Sequence, residues 1–583
     1  MKQFFISACM VIALLGQSIG GNAKDIFLSS TGNDSNDGLT ASTAYATLQK
    51  AMGNVEDGDV VYVSGMIKVS SEISKEGGTV TFVGSGDKGE SGFDGNGTNR
   101  IFSTVNANLS FRNLTVMNCK SQGTGGALYM QGGKLFVDNC VLSNNATNCQ
   151  NGSTGGAIRG HNCNIEIYNS EFYNNKGQMG GAIELRGGNI AVFSTSFTNN
   201  HAASATSGVW DGGVAGGAVS LIDVGTSKFQ YCTIENNVSD AHAGAFNIAG
   251  GSTRNIQILS CSVIGNIAGG TDGTYVAGKD VLENGRHKAH GGAFMVSFPG
   301  TDNGKGETTC KMIIASTTIA NNYCGQAGGV MLFSGNGLDG QELDLVNCTI
   351  TKNETADNIG NSGGFTMQDK KVKLNVINTI LEGNWAIGNN RWSDGWFKTT
   401  PVTVKNSVVG FIFENDQYTY DIDPSSYWIT TPDGNTTSLT SGIDPQMECS
   451  THCFPLQPNS KGTVMGDNAL AATYGVTVDQ KGQPLTKPYI GALQSLIGEN
   501  IPEIPSTPTK ILDLAGNADG SLSFAVQGNK IVAAKNAKVE IFSLSGQKMA
   551  DYIGSQTTAL PNGSYVVRVS DNGKSVSRKV ILK

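Results

Sequence analysis

Six side chains in this sequence have types and spacing suited to contact with a sugar: Tyr129, Gln131, Arg159, His161, Glu184 and Arg186. Tyr129, Arg159 and Glu184 each follow a Gly-Gly-Ala-x run at the same offset, and Gln131, His161 and Arg186 stand two positions further on. If those runs are stacked strands, alternation puts both sets on one face, with Arg159 and Glu184 about 4.8 Å apart along the stack. A carboxylate between guanidiniums can act as a general acid or base, or it can be one rung of a surface salt-bridge ladder. Hydrolysis of a glycosidic bond needs two carboxylates, and this face offers one. Eliminative cleavage of a uronate needs a basic residue and positive charge, from arginine or Ca²⁺, to neutralise the sugar acid. The set therefore supports a ligand-binding patch, with Arg159, Glu184 and Arg186 as catalytic candidates under a rival reading.

The elements that must position these residues are repeats. Gly-Gly-Ala or a variant starts at Gly125, Gly155, Gly180, Gly216, Gly291, Gly328 and Gly363, and Ala243-Gly244-Ala245 fills the gap after Gly216. A second motif alternates with it and ends in Asn145, Asn175, Asn200, Asn237, Asn266, Asn322, Asn353 and Asn384. Asn at a fixed turn position tolerates left-handed backbone, and stacked amides can bond along a ladder. Cys140, Ser170, Thr195, Cys232, Cys261, Thr317, Cys348, Thr379 and Ser407 form another column of small side chains. That makes most cysteines core fillers, with a Cys232–Cys261 bridge between adjacent coils left open. Each unit holds about three short strands, which cannot bury their own apolar face but can do so by stacking. No 3.6-residue apolar period is present. The pattern predicts an all-β chain: a right-handed parallel β-helix with an N-terminal cap and a small C-terminal β-sandwich.

The chain has 583 residues, 78 of them Gly and only 15% charged, which favours short strands and tight turns. Residues 1–23 read as a signal peptide, with Lys2, the apolar run 4–15 and the small residues Gly21 and Ala23. Removing them takes away one basic residue and leaves 39 against 48 acidic, a net of −9, which argues against a nucleic-acid partner. Export permits disulfides, and Cys449 and Cys453 are close enough to pair. Residues 24–110 form the cap and first coils, with a helix expected at 43–52. The repeats run over 111–497, with the far end of the coil near 466–492. A Pro-containing linker spans 498–509, and 510–583 alternates like strands.

Other candidates are weaker. The acidic turn Asn33–Asp37 could bind Ca²⁺ but lacks the spacing of a known Ca²⁺ loop, so a plain turn is the simpler reading and no cofactor is assigned. Trp385, Trp392, Trp396 and Trp428 crowd one irregular segment and Trp210 lies in an insertion. They either stack on sugars or pack loops onto the coil. His201, His242, His287, His290 and His452 show no metal-ligand spacing.

Three resemblances follow from these residues. The repeats over 111–384 resemble those of polymorphic outer-membrane proteins and other bacterial surface β-helix proteins. The ends, at 25–63 and Ile490-Gly-Ala492, resemble those of secreted right-handed β-helix proteins, including some polysaccharide lyases. The tail looks like a type IX secretion sorting domain, on Gly546 in Leu-Ser-Gly-Gln, Gly563 and Tyr565 in Gly-Ser-Tyr, and the basic, apolar end with Lys579 and Lys583. The resemblances imply a secreted or outer-membrane surface protein that reaches its place through the periplasm and the type IX machinery. They imply an adhesin-like partner for a polysaccharide, host glycan or host protein. The alternative is a polysaccharide lyase or related enzyme using the face at 129–186.

Overall fold

In the computed structural model each repeat closes one coil of a parallel β-helix. Residues 23–582 are described with breaks, the longest at 205–212, 270–288, 299–309, 429–440, 444–451 and 502–524. The chain forms two compact units, 1–504 and 505–583. Three long parallel sheets build the first. The coil starting at Gly125 contributes Leu128–Gln131 and Lys134–Asp138 to sheet A, Val141–Ser143 to sheet B and Ala146–Thr147 to sheet C. A coil thus has four strand segments rather than three, because the run after the glycines and the alternating run share one sheet. In the next two coils they fuse into eleven-residue strands, Ile158–Tyr168 and Ile183–Phe193. Inward residues such as Met130, Leu135, Ile165 and Leu185 are buried, and one apolar core runs from Ile26 to Ile412. At the N-terminal end the predicted helix is shorter than expected, a 3-10 turn at Ala41–Thr43 and an α-helix at Leu48–Met52, whose Leu48 and Ala51 join that core.

The Asn-Asn pairs divide two jobs between neighbours. The second Asn was expected to take the left-handed turn. The structure gives that turn to the residue before it: Asn144, Asn174, Asn199, Asn236, Gly265, Asn321, Lys352 and Gly383 all have positive φ. The second Asn is fully buried and forms the ladder. Asn200 donates both its backbone N–H and its Nδ2 to Asn237 Oδ1, each at 2.9 Å, and Asn237 does the same to Asn266 at 3.0 and 2.9 Å. Nδ2 of each also reaches a strand carbonyl, as Asn237 does to Phe197 O at 2.9 Å. Buried backbone groups at this corner find their partners in the next coil.

The small-residue column is a second ladder of the same kind. The N–H of Cys140 donates to Ser170 Oγ at 3.0 Å, that of Cys261 to Thr317 Oγ1 at 3.2 Å and that of Cys348 to Thr379 Oγ1 at 3.2 Å. Cys232 and Cys261 are free buried thiols joined by the Cys232 N–H to Cys261 Sγ contact at 3.4 Å, so the bridge left open by the sequence is not formed. Burial pushes the Cys140 and Cys348 thiols up to about 12. Cys453 is disulfide-bonded, whereas Cys449 lies outside the described residues.

The Gly-Gly pair also has two roles. The first glycine is left-handed at Gly125, Gly155, Gly180, Gly216, Gly291 and Gly328, whereas Ser362 and Gly363 hold the two positions in the following coil, one residue earlier than the motif reading set them. A Cβ on the second would strike the backbone carbonyl of the matching glycine one coil on, as from Gly217 onto Gly244. This explains Ala243-Gly244: the first position tolerates alanine at a cost, at φ +57°, while the second does not change. Ala243→Gly should therefore raise stability by about 0.5–1 kcal/mol, the left-handed penalty less the added entropy of the unfolded chain. A urea midpoint that stays put or falls would contradict this.

The asparagine ladder ends on a carboxylate. Asp394 Oδ1 accepts from Asn384 N and Nδ2, both at 2.8 Å, and Oδ2 accepts from Phe411 N at 2.9 Å. Three donors converge, an arrangement that suits the ionised carboxylate, whereas another amide would set an NH₂ against the Phe411 N–H. Burial, with a smaller contribution from Glu382, pushes its pKa up to about 8 against the pull of those donors. A carboxyl raised on folding stabilises the native state fully below its ordinary pKa, and that contribution is lost as pH rises through the folded value. The urea midpoint of the wild type minus that of Asp394→Asn should therefore fall between about pH 4 and pH 9. A difference that stays constant with pH would refute the assignment.

The described residues of 441–499 leave the coil, in which the sequence reading had placed them. They lie along the outside of coils 260–408, because the outward residues there are apolar and need cover. Ile443, Phe454, Leu456 and Ile490 pack with Ile264, Ala320, Ile380 and Val408. A second cluster joins Ala471 and Val476, in and after the helix Asn468–Thr473, to Ala315, Val346 and Ile377. Polar groups fasten the strap at intervals. Ser316 Oγ donates to Val478 O at 2.6 Å, Asn378 Nδ2 to Asp467 O at 2.9 Å, and Ala492 N–H to Thr349 Oγ1 at 2.9 Å.

The second unit is antiparallel, with a sheet of three strands and one of four among its described residues. Ile531, Val539, Ile541, Tyr565, Val567 and Val569 form its core.

Candidate glycan-contact face

The register read from the motifs is the register of the structure. Tyr129 pairs with Arg159, Arg159 with Glu184, Glu184 with Ser220, and the column continues through Asn247, Met295, Leu332 and Thr366. Gln131, His161 and Arg186 form the parallel column. All six candidates therefore lie together on the outer side of sheet A.

The burial of the centre was not legible in the sequence. Glu184 is 0% exposed and Arg159 only 9%. The cause is the left-handed glycine, which folds the preceding residue back over the strand. Thr154, just before Gly155, thereby donates its hydroxyl to Glu184 Oε2. In the same way Arg100 donates from Nη1 to Thr124 O at 2.7 Å, while its guanidinium sits 5.6 Å from the Tyr129 ring. The column thus runs along a corner rather than a flat sheet.

Within it, Arg159 Nη1 lies 2.6 Å from Glu184 Oε2, and Arg186 Nη2 lies 3.6 Å from Glu184 Oε1. Arg159 Nη1 also donates to Gly160 O at 3.1 Å. Burial raises the Glu184 pKa and lowers that of Arg159, and each opposes the other's shift through its charge. The outer members differ: Gln131 and Arg186 are exposed, and Tyr129 and His161 are half-buried. A general acid or base must reach the atom it protonates. Glu184 is closed off, so the one carboxylate of the face holds two arginines in place and has no open side.

Sequence reasoning missed Thr154, Arg100, and two pairs further along the corner. Asn247 Nδ2 donates to Ser220 Oγ at 3.0 Å. His242 and His290 stack at 5.2 Å, the His290 N–H donates to His242 Nδ1 at 3.3 Å, and burial, aided by His290, lowers the His242 pKa to about 4. For Thr154, His242 and His290 the signal was present as the residue preceding each glycine pair or its Ala-Gly variant, but only the fold turns that residue onto the strand.

The other candidates are placed as follows. In the acidic turn, Asp34 accepts from Ala46 N, Thr47 N and Thr47 Oγ1, and Asn33 and Asp37 accept from backbone two residues on. These acceptors serve the turn and the cap of the following helix, and do not converge on a cation. Among the described residues no group of three or more His, Cys, Asp or Glu could hold a metal. Trp385 and Trp392 pack edge to face at 4.9 Å across the hairpin that ends sheet C. Trp396 is half-buried beside Thr366, Trp428 lies on the strand Tyr427–Trp428, and Trp210 and His287 lie outside the described residues. Gly563 and Tyr565 are on Gly563–Asp571 and Lys579 is on Lys574–Leu582, whereas Gly546, Lys583 and residues 1–22 lie outside the described residues.

No protein-family profile matches this sequence, and no curated protein matches it. Among solved structures a rhamnogalacturonan lyase is similar to it, at 13% identity and a TM-score of 0.34, over 72% of this chain and 90% of that one. At that distance the likeness carries nothing about chemistry.

Proposed function

We propose that this is an exported surface protein that contacts glycans through the face of Tyr129, Gln131, His161 and Arg186 without cutting them. The observation that carries the reading is the sealing of Glu184, which closes off the face's one carboxylate while leaving amide, imidazole, phenol and guanidinium groups at the surface. Such a mixture of planar donors and one aromatic suits the hydroxyl-rich edge of a sugar. The leader-like residues 1–23 and the tail 510–583 support export through the periplasm and the type IX machinery to the cell surface. Deleting 510–583 should leave the protein in the periplasm; surface display without the tail would sink that part.

Binding is tested by retention of the full-length protein on immobilised polysaccharides. Gln131→Ala with His161→Ala should lower retention on whichever glycan binds. Unaltered retention would move the contact surface elsewhere.

A further inference from the structure

We infer that the ligand of this face is anionic, a glycan bearing carboxylate or sulfate, and that Arg186 is the residue that selects it. The inference rests on the glycan-contact reading and names its ligand class. Its basis is a charge count at the corner. Glu184 is bracketed by two guanidiniums, so the three groups together carry one excess positive charge. Burial decides where that excess appears. The Arg159 side chain is 11% exposed and lies closer to Glu184, at 2.6 Å, so the two neutralise each other inside the corner. The Arg186 side chain is 47% exposed and lies 3.6 Å from the same carboxylate, so its charge faces solvent.

The neighbouring cation does not compete for this role. Arg100 Nε is paired with Glu72 Oε2 at 2.7 Å. The chain as a whole carries a formal net charge of −8, so a solvent-facing cation of this kind stands out against its surroundings. His161, half-buried and in register with Arg186 on the adjacent strand, adds an imidazole N–H donor. Guanidinium is the side chain best shaped to meet a carboxylate or sulfate with two parallel N–H bonds. The buried pair has a matching purpose: Glu184 orients Arg186 without presenting a negative charge to an approaching anion. Arg186 is thus a binding residue, and Glu184 and Arg159 are positioning residues.

The test compares polymers that differ in charge alone, using the full-length protein. Hyaluronate is set against its carboxyl-reduced form, and dextran sulfate against dextran. The expected result is binding to at least one charged polymer, at least tenfold weaker binding to its neutral counterpart, and weakening with added salt. Which charged polymer binds distinguishes carboxylate from sulfate. Arg186→Ala should lose at least tenfold, Arg186→Lys should keep part of the binding, and Lys120→Ala on sheet C should match the wild type. Equal binding to charged and neutral polymers, or an unaffected Arg186→Ala, overturns the inference while leaving glycan contact standing. No binding to any polysaccharide overturns both. The ligand-side comparison needs no variant, so a folding defect in Arg186→Ala does not remove the test.

Discussion

Asn237→Ala should cost about 3–5 kcal/mol, a loss concentrated in the coils on either side of it. The amide sits 0% exposed in mid-ladder. Its Oδ1 is the acceptor for both the backbone N–H and the Nδ2 of Asn200, and its Nδ2 serves Phe197 O and Asn266 Oδ1. Alanine strands two buried donors and a carbonyl, and each unpaired buried group costs about 1–3 kcal/mol. Water cannot substitute without opening the coil. In a solenoid each coil contacts only its neighbours, so the damage stays local. Hydrogen exchange should rise across about 195–270 and not in the cap at 25–63. Asn237→Asp should be no rescue at neutral pH, because it restores the acceptor but sets a second oxygen against Phe197 O and Asn266 Oδ1. A loss below about 1 kcal/mol for the alanine variant would mean that the ladder is ornamental.

The second large effect is expected at Glu184. Glu184→Leu leaves Arg159 buried beside an apolar side chain. Breaking one half of a buried pair costs about 3–5 kcal/mol, whereas replacing both halves by apolar residues is often close to neutral. Arg159→Met combined with Glu184→Leu should therefore regain most of the stability lost by the single change, as read from urea midpoints. If the single variant is as stable as the wild type, the pair is open to water in solution and the sealed-corner account fails. If the double variant is the worst of the three, the pair contributes more than mutual neutralisation.

Much of this architecture could be read in advance, for a physical reason. Gly-Gly-Ala and Asn-Asn recur because every coil meets the same two constraints: a left-handed corner and a backbone approach too close for a Cβ. The register of Tyr129, Arg159 and Glu184 followed from that recurrence alone. The division of labour within Asn-Asn did not, since both residues are asparagine and only φ and burial separate them. The strap at 441–499 was misplaced because its short apolar runs look like coil strands. What distinguishes it is the apolar outer surface it covers, at Ala315, Val346 and Ile377, and that surface exists only once the coils are stacked. At the candidate face the residues were legible and their accessibility was not. Glu184 and Arg186 stand two positions apart on one strand, on the same side, yet one is sealed by Thr154 and Arg159 and the other is open.

On this reading the face holds sugars and does not cleave them. The most direct measurement incubates the full-length protein with a panel of acidic and neutral polysaccharides. It records retained binding together with newly formed reducing or unsaturated ends in the same samples. The expected result is binding to a charged polymer and no product, in the wild type and in Glu184→Gln alike. Product that appears with the wild type and vanishes with Glu184→Gln would contradict it and make the corner an active site.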